Sequence, residues 1–398
     1  MFDMFFVLAI IYITFISLGL PDSLFGVAWP VMHSDLGLSV SYASIISIVT
    51  GICSCLMSLI AGGLIKKIGT SRLTFVSVVL TAVGLLGTRF STNFWMLITF
   101  AVLLGVGAGA VDTALNYYVS ANYKAKHINW LHCFWGVGVV VSPLVMSPFL
   151  SVGNWRGGYQ TIAIMQFAIA FIILCSLPYW RKIEKRQAIL APIAQEKSKE
   201  KISFFSVLKI KGVKPSILVF AFYCSMEFLM MTWGASYLVK TKFVGAALAS
   251  NLMSLYYGGV MLGRLISGFL TVRLRDKQLI WFGTLLSLVG IVVLALPIGI
   301  YAVIGLFLVG FGFGPIFPSA LHATSHRFKS DVATFLTGYQ LAIGYGVGFT
   351  VQLVFGYVTP YIGFDSMPLW MVASSMLLIL TLIRLDKDVA KCSPNFLD

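Results

Sequence analysis

The sequence predicts an all-α membrane protein of 12 transmembrane helices in two pseudo-symmetric six-helix bundles. Three observations carry this expectation. Hydrophobic residues make up 59% of the 398-residue chain and charged residues 11%, whereas ordinary soluble domains carry about 25% charge. The apolar sequence divides into twelve stretches long enough to cross a bilayer, at about 20 residues each. The chain also repeats itself. Leu59-Ile60-Ala61-Gly62-Gly63-Leu64 aligns with Leu265-Ile266-Ser267-Gly268-Phe269-Leu270, Gly105, Gly107 and Gly109 with Gly310, Gly312 and Gly314, and His132, Gly136 and Gly138 with Gln340, Gly344 and Gly346, at offsets of 206, 205 and 208 residues. A near-constant offset across three separate helices marks a duplicated six-helix unit.

The expected spans are 4–31, 39–65, 72–90, 93–121, 128–150, 157–180, 213–239, 245–272, 278–297, 299–325, 332–358 and 364–384. They define an N-terminal bundle over 1–180, a polar linker over 181–212 rich in Lys, Glu and Gln, a C-terminal bundle over 213–385 and a tail over 386–398. The net charge of +14 follows this topology. Connections after even-numbered spans, with the tail, hold 23 Lys and Arg; the opposite side holds four, and Arg264 lies inside a span. The positive-inside rule then places both termini and the linker in the cytoplasm. Because topology accounts for the charge, nucleic acid is not an expected partner. The first stretch lacks a basic leader, outruns a signal peptide and carries Asp22, so it reads as a retained span.

Three acids inside spans stand out in a chain with 14 acidic residues: Asp22, Asp112 and Glu227. A carboxylate at membrane depth is costly and normally faces a protein interior or a water-filled cavity, with a task to perform. In the first span Gly19, Asp22, Ser23 and Gly26 share a face, and Pro21 and Pro30 are expected to interrupt or weaken the helix. In the fourth, Gly105, Gly109, Asp112 and Asn116 share a face, and Asn116 can donate to a substrate hydroxyl or to the Asp112 carboxylate. Two acids at different depths of one bundle suit stepwise proton passage, since a carboxyl's proton affinity is tuned by its surroundings. Glu227 sits at the midpoint of the seventh span, with Tyr223, Met231 and Gly234 on its face. It is suited to binding a cation, holding hydroxyls or forming an interhelical hydrogen bond.

No nucleophile–base constellation is present, which argues against an enzyme. The Gly-x-Gly-x-Gly runs lie inside apolar spans with no strand before them. They are therefore helix-packing surfaces and not a nucleotide-binding fingerprint. Cys53 and Cys55 point to different helix faces. His322 and His326 have i, i+4 spacing but lack an evident third ligand. Neither a metal nor a cofactor is expected. His132 and Trp135 in the fifth span, Trp233 in the seventh, Asn251 in the eighth and Gln340 in the eleventh join Asn116 and Glu227 as candidate substrate-binding residues. Rings beside amides and carboxylates are how a cavity holds a sugar.

These residues resemble the major facilitator superfamily and, within it, the fucose–proton symporter branch. Gly105-x-Gly-x-Gly109-x-x-Asp112-Thr113-x-x-Asn116 is similar to that branch's fourth helix. Asn129-Trp130-Leu131-His132-x-Phe134-x-Gly136-x-Gly138, followed by Pro143, is similar to its fifth. Gly314-Pro315-Ile316-Phe317-Pro318 resembles its tenth, and Tyr223-x-x-x-Glu227 with Trp233 its seventh. The resemblance implies the major facilitator fold and a secondary transporter working by alternating access, with Asp22 and Asp112 matching the acids of proton coupling and sugar binding. Two departures matter. The fourth-helix acid is commonly glutamate in that branch, and Lys66 and Lys67 occupy a stretch where the superfamily usually carries an acid. The fifth helix also lacks most of the glycines of drug antiporters. The expected function is proton-coupled uptake of a sugar or sugar-like polyol. Antiport of an amphiphilic compound and sodium-coupled symport are the alternatives. The expected setting is the bacterial inner membrane, as a monomer whose partners are the lipid bilayer, a small-molecule substrate and a proton or sodium ion.

Overall fold

The computed structural model describes residues 2–123, 126–190, 207–271, 273–297, 299–328 and 330–392. These residues form twelve α-helices: α1 Phe2–Asp35, α2 Tyr42–Ile68, α3 Thr70–Phe90, α4 Phe94–Asn122, α5 Lys126–Leu150, α6 Trp155–Leu190, α7 Val213–Thr241, α8 Ala246–Leu270, α9 Asp276–Ala295, α10 Gly299–Arg327, α11 Ser330–Ile362 and α12 Met367–Cys392. A 3₁₀ turn, Phe364–Ser366, precedes α12. Eleven of the helices are long and apolar enough to cross a membrane. The exception is α8, which carries Asn251 and Arg264. The sixth span ends at Trp180 as expected, and helix α6 continues ten residues past it. The Lys- and Arg-rich sequence there ends the apolar run without ending the helix. Of the expected linker, residues 191–206 lie outside the described residues.

The chain divides into two compact units: Met1–Glu196 with Val244–Ser254, and Lys197–Phe243 with Leu255–Asp398. The first part of α8 thus groups with the first unit, where Ser250 donates to the Pro143 carbonyl at 2.7 Å and Ser147 to the Ala247 carbonyl at 3.0 Å.

Helix pairing repeats between the units. In the first, α1 packs on α5 and α6, and α3 on α4 and α6; in the second, α7 packs on α11 and α12, and α9 on α10 and α12. The aligned glycines serve the same seam twice. A methyl group on Gly105 of α4 would overlap the Thr50 carbonyl oxygen of α2, and one on Gly310 of α10 would overlap the Tyr256 carbonyl oxygen of α8. Thr50 and Tyr256 are themselves 206 residues apart (256 − 50). Small residues let the two backbones touch, which is how membrane helices gain packing energy without a hydrophobic driving force between them.

Helix α1 runs unbroken through Pro21 and Pro30, contrary to the expected interruption. Proline removes the N–H that would bond the carbonyl four residues earlier. For Pro21 that carbonyl belongs to Ser17, and it accepts from the Gln166 amide of α6 at 2.8 Å. For Pro143 of α5 the orphaned carbonyl is that of Val139, and it accepts from the Ser23 hydroxyl of α1 at 2.9 Å. Side chains of neighbouring helices therefore re-satisfy the freed backbone groups, which is what allows proline inside a membrane helix.

Candidate functional site

In the first unit α1 and α5 touch at Gly19 and Gly138. A methyl on either would overlap the facing helix backbone, at the Trp135 carbonyl and the Ile16 carbonyl respectively. This approach brings the Trp135 indole N–H to the Asp22 carboxylate, with donor and acceptor 2.8 Å apart. Asp22 is exposed although it lies near the middle of a 34-residue helix. Asp112 of α4 is half-buried. The Asn116 amide donates to the Asp112 carboxylate at 2.8 Å and to its own-helix carbonyl at 3.0 Å. Of the two roles expected for Asn116, the structure displays the bond to the acid. Among the described residues neither Asp22 nor Asp112 belongs to an ion pair. His132 lies one turn before Trp135 on α5, exposed, with its ring edge-on to Phe15 at 5.8 Å. Asn251 is exposed on the early part of α8.

The second unit holds a different arrangement. Glu227 is buried, and its carboxylate accepts from the Tyr223 hydroxyl at 2.8 Å and pairs with the Arg264 guanidinium of α8 at 3.3 Å. A buried acid is tolerable when its charge is matched and its oxygens accept hydrogen bonds. Glu227 thus differs from Asp22 and Asp112, and Arg264 is the functional-looking residue that spacing alone did not connect to it. The available signal was that Arg264 lies well inside a span while the other Lys and Arg stand at or beyond span ends, and intramembrane charges tend to pair with one another.

Trp233 and Gln340 lie in the interior of the same unit. The Trp233 indole donates to the Gln352 carbonyl at 3.1 Å, tying α7 to α11. Gln340 donates to the hydroxyls of Ser216 at 2.6 Å and Thr324 at 2.9 Å, joining α11 to α7 and α10. Both are fully buried. The structure therefore pairs Asp22 with Trp135 and Asp112 with Asn116, sets Glu227 with Tyr223 and Arg264, and ties helices through Trp233 and Gln340.

The His322 and His326 rings meet at 3.2 Å between Nε2 atoms, and His322 Nδ1 faces the Asp276 carboxylate at 2.8 Å. Among the described residues no three His, Cys, Asp or Glu side chains gather as a metal site.

Eleven helices long and apolar enough to cross a membrane, together with the family match that follows, define a multi-pass membrane transporter and not an enzyme. The Major Facilitator Superfamily profile matches residues 11–351, and the chain belongs to this superfamily. The glucose/mannose transporter GlcP of Bacillus subtilis is 26% identical over 281 residues, 67% of each chain. The multidrug export protein EmrB of Haemophilus influenzae is 29% identical over 136 residues, 34% of this chain and 26% of that one. The chain spans about two thirds or less of the length of these curated relatives. The crystal structure of the nucleoside transporter NupG shares the fold at a TM-score of 0.71, with 13% identity over 95% of this chain and 98% of that one.

Proposed function

We propose that this superfamily transporter takes up a sugar or sugar-like polyol together with a proton. It would do so by alternating access, with both termini and the linker on the cytoplasmic side. The observation that carries the reading is Asp22: an exposed carboxylate at mid-helix, outside any ion pair among the described residues, held by one indole donor. A proton can neutralise such an acid where no basic side chain does. Asp112, oriented by Asn116, supplies a second protonatable group in the same unit. In the first unit His132, Trp135, Asn116 and Asn251 offer the aromatic faces and polar groups that a hydroxylated substrate needs; in the second, Glu227 offers a carboxylate on a helix held by Trp233 and Gln340. The likeness to GlcP and the fourth- and fifth-helix motifs similar to the fucose–proton symporter branch favour a sugar. The shorter match to EmrB supports a second reading, export of an amphiphilic compound by proton antiport.

Reconstituted vesicles separate these readings. An imposed inward proton gradient should drive accumulation of a hexose, and a sodium gradient should not. Asp112→Asn should abolish that accumulation while exchange between preloaded substrate pools survives. Loss of both in a well-folded variant would assign Asp112 to substrate binding. Accumulation of hydrophobic cations under the opposite gradient, with no hexose uptake, would replace the symport reading with the antiport one.

A further inference from the structure

The second unit carries a pocket of about 610 Å³ far along the chain from Asp22 and Asp112, where the start of α7 and the segment before it meet the end of α12. Its wall is graded. At one end stand Lys209, Lys211 and Lys214 with Arg384 of α12. Leu218 and Phe222 follow Lys214 at one and two turns along α7, and Leu380 and Leu377 precede Arg384 by one and two turns on α12. Two facing stripes thus pass from cationic to apolar over about 12 Å, at 1.5 Å per helical residue. Leu218, Leu377 and Leu380 are all exposed. Among the described residues the one acid in the wall, Asp388, pairs with Arg384 at 3.3 Å on the same helix, which leaves the three lysines in excess of the described acids.

We infer that this pocket binds an anionic phospholipid of the leaflet on the basic side. The phosphate would lie among Lys209, Lys211 and Lys214, and an acyl chain along Leu218, Phe222, Leu377 and Leu380. The positive-inside rule accounts for lysines in a connection. It does not account for an apolar groove that continues from them between two helices, and that continuity is what matches a molecule charged at one end and apolar along its length. Basic pockets between transmembrane helices on the cytoplasmic side are suited to such head groups. The inference is independent of the transported substrate.

Native mass spectrometry on the purified full chain tests it, with phosphatidylglycerol and phosphatidylcholine of identical chains supplied in equal amounts. The natural sequence should retain phosphatidylglycerol preferentially. K209Q, K211Q and K214Q should each lower that preference roughly fivefold; read singly, they keep the test open if the triple variant does not fold. K66Q/K67Q, which removes two lysines from another basic connection, should leave the preference intact. Leu380→Asn should weaken retention of phosphatidylglycerol. Equal retention of the two lipids by the natural sequence would overturn the inference. So would an equal loss in K66Q/K67Q, or displacement of the lipid by soluble glycerol phosphate at the same concentration.

Discussion

The Gln166 side chain of α6 donates to the main-chain carbonyl of Ser17 at 2.8 Å, the group that Pro21 deprives of its helical donor. Two residues nearly 150 positions apart thus complete one turn of α1, the turn that carries Asp22. The hydroxyl of Ser23 does the same for Val139 below Pro143. Both compensations hold the walls of the Asp22–Trp135 contact. A proline beside the acid removes a backbone bond locally, and the neighbouring helix restores it, which fixes the relative rotation of α1, α5 and α6.

Gln166→Leu should therefore destabilise the protein by about 1 kcal/mol, the range found for interhelical hydrogen bonds in membranes. The readout is the unfolding midpoint in mixed micelles. On a Pro21→Ala background the same change should cost clearly less, because alanine at that position supplies the N–H that the Ser17 carbonyl lacks. Equal costs on the two backgrounds would show that the amide and the proline are not coupled.

The Glu227–Arg264 pair makes the opposite kind of prediction. Each partner is largely buried, with side-chain exposures of 12% and 17%. Removing one leaves an uncompensated charge in the bundle, which costs about 3–5 kcal/mol for a buried pair. Glu227→Gln and Arg264→Met should each lower thermal stability strongly, and the double variant should recover most of the loss. A double variant as unstable as the worse single one would mean that Tyr223 or another neighbour, and not the ion pair, sets the stability.

The duplication was legible because it is written in residues with a steric duty. Gly105 and Gly310 touch carbonyls of Thr50 and Tyr256, so no larger residue fits either seam. The acids were legible because a charge in an apolar run is conspicuous whatever surrounds it. Their partners on other helices were not: Trp135 of α5 lies 113 positions from Asp22, and Arg264 of α8 lies 37 from Glu227, separations that no periodicity reports. The Asp112–Asn116 bond, by contrast, is an i, i+4 pair on one helix and was among the options read from spacing. Trp233 and Gln340 look the same in sequence whether they line a cavity or tie helices; in the structure both are buried and hydrogen-bonded between helices. Helix α6 outruns its span, which does end at Trp180, for a related reason: hydropathy marks where a helix leaves the apolar region and not where its backbone bonds stop.

The glycines divide into two kinds with opposite expected responses. Gly105→Val and Gly310→Val insert side chains into backbone contacts and should destabilise by at least about 1–3 kcal/mol, as overpacking does. Gly62 and Gly268 belong to the same repeat, yet a methyl on either meets no atom within 4 Å. Gly62→Ala and Gly268→Ala should be neutral or stabilising by up to about 1 kcal/mol through helix propensity. Thermal unfolding of the four variants checks the division, and a strongly destabilised Gly268→Ala would show that α8 has a close neighbour at that position.

Trp135 is expected to act through Asp22. Its indole is the donor on that carboxylate, and phenylalanine keeps the ring bulk while deleting the N–H. Trp135→Phe should lower gradient-driven uptake by about tenfold, the order expected for losing one hydrogen bond to a charged group. In an Asp22→Asn background, already impaired, the same change should add little, because the charged acceptor is gone. Initial rates in vesicles with and without a proton gradient read both effects. If Trp135→Phe costs as much beside Asn as beside Asp, the ring works through direct contact with the substrate, and the indole–carboxylate bond is incidental to coupling. If exchange without a gradient also falls in the single variant, the bond orders α1 against α5 in every transport step, and proton coupling is only one of its consequences.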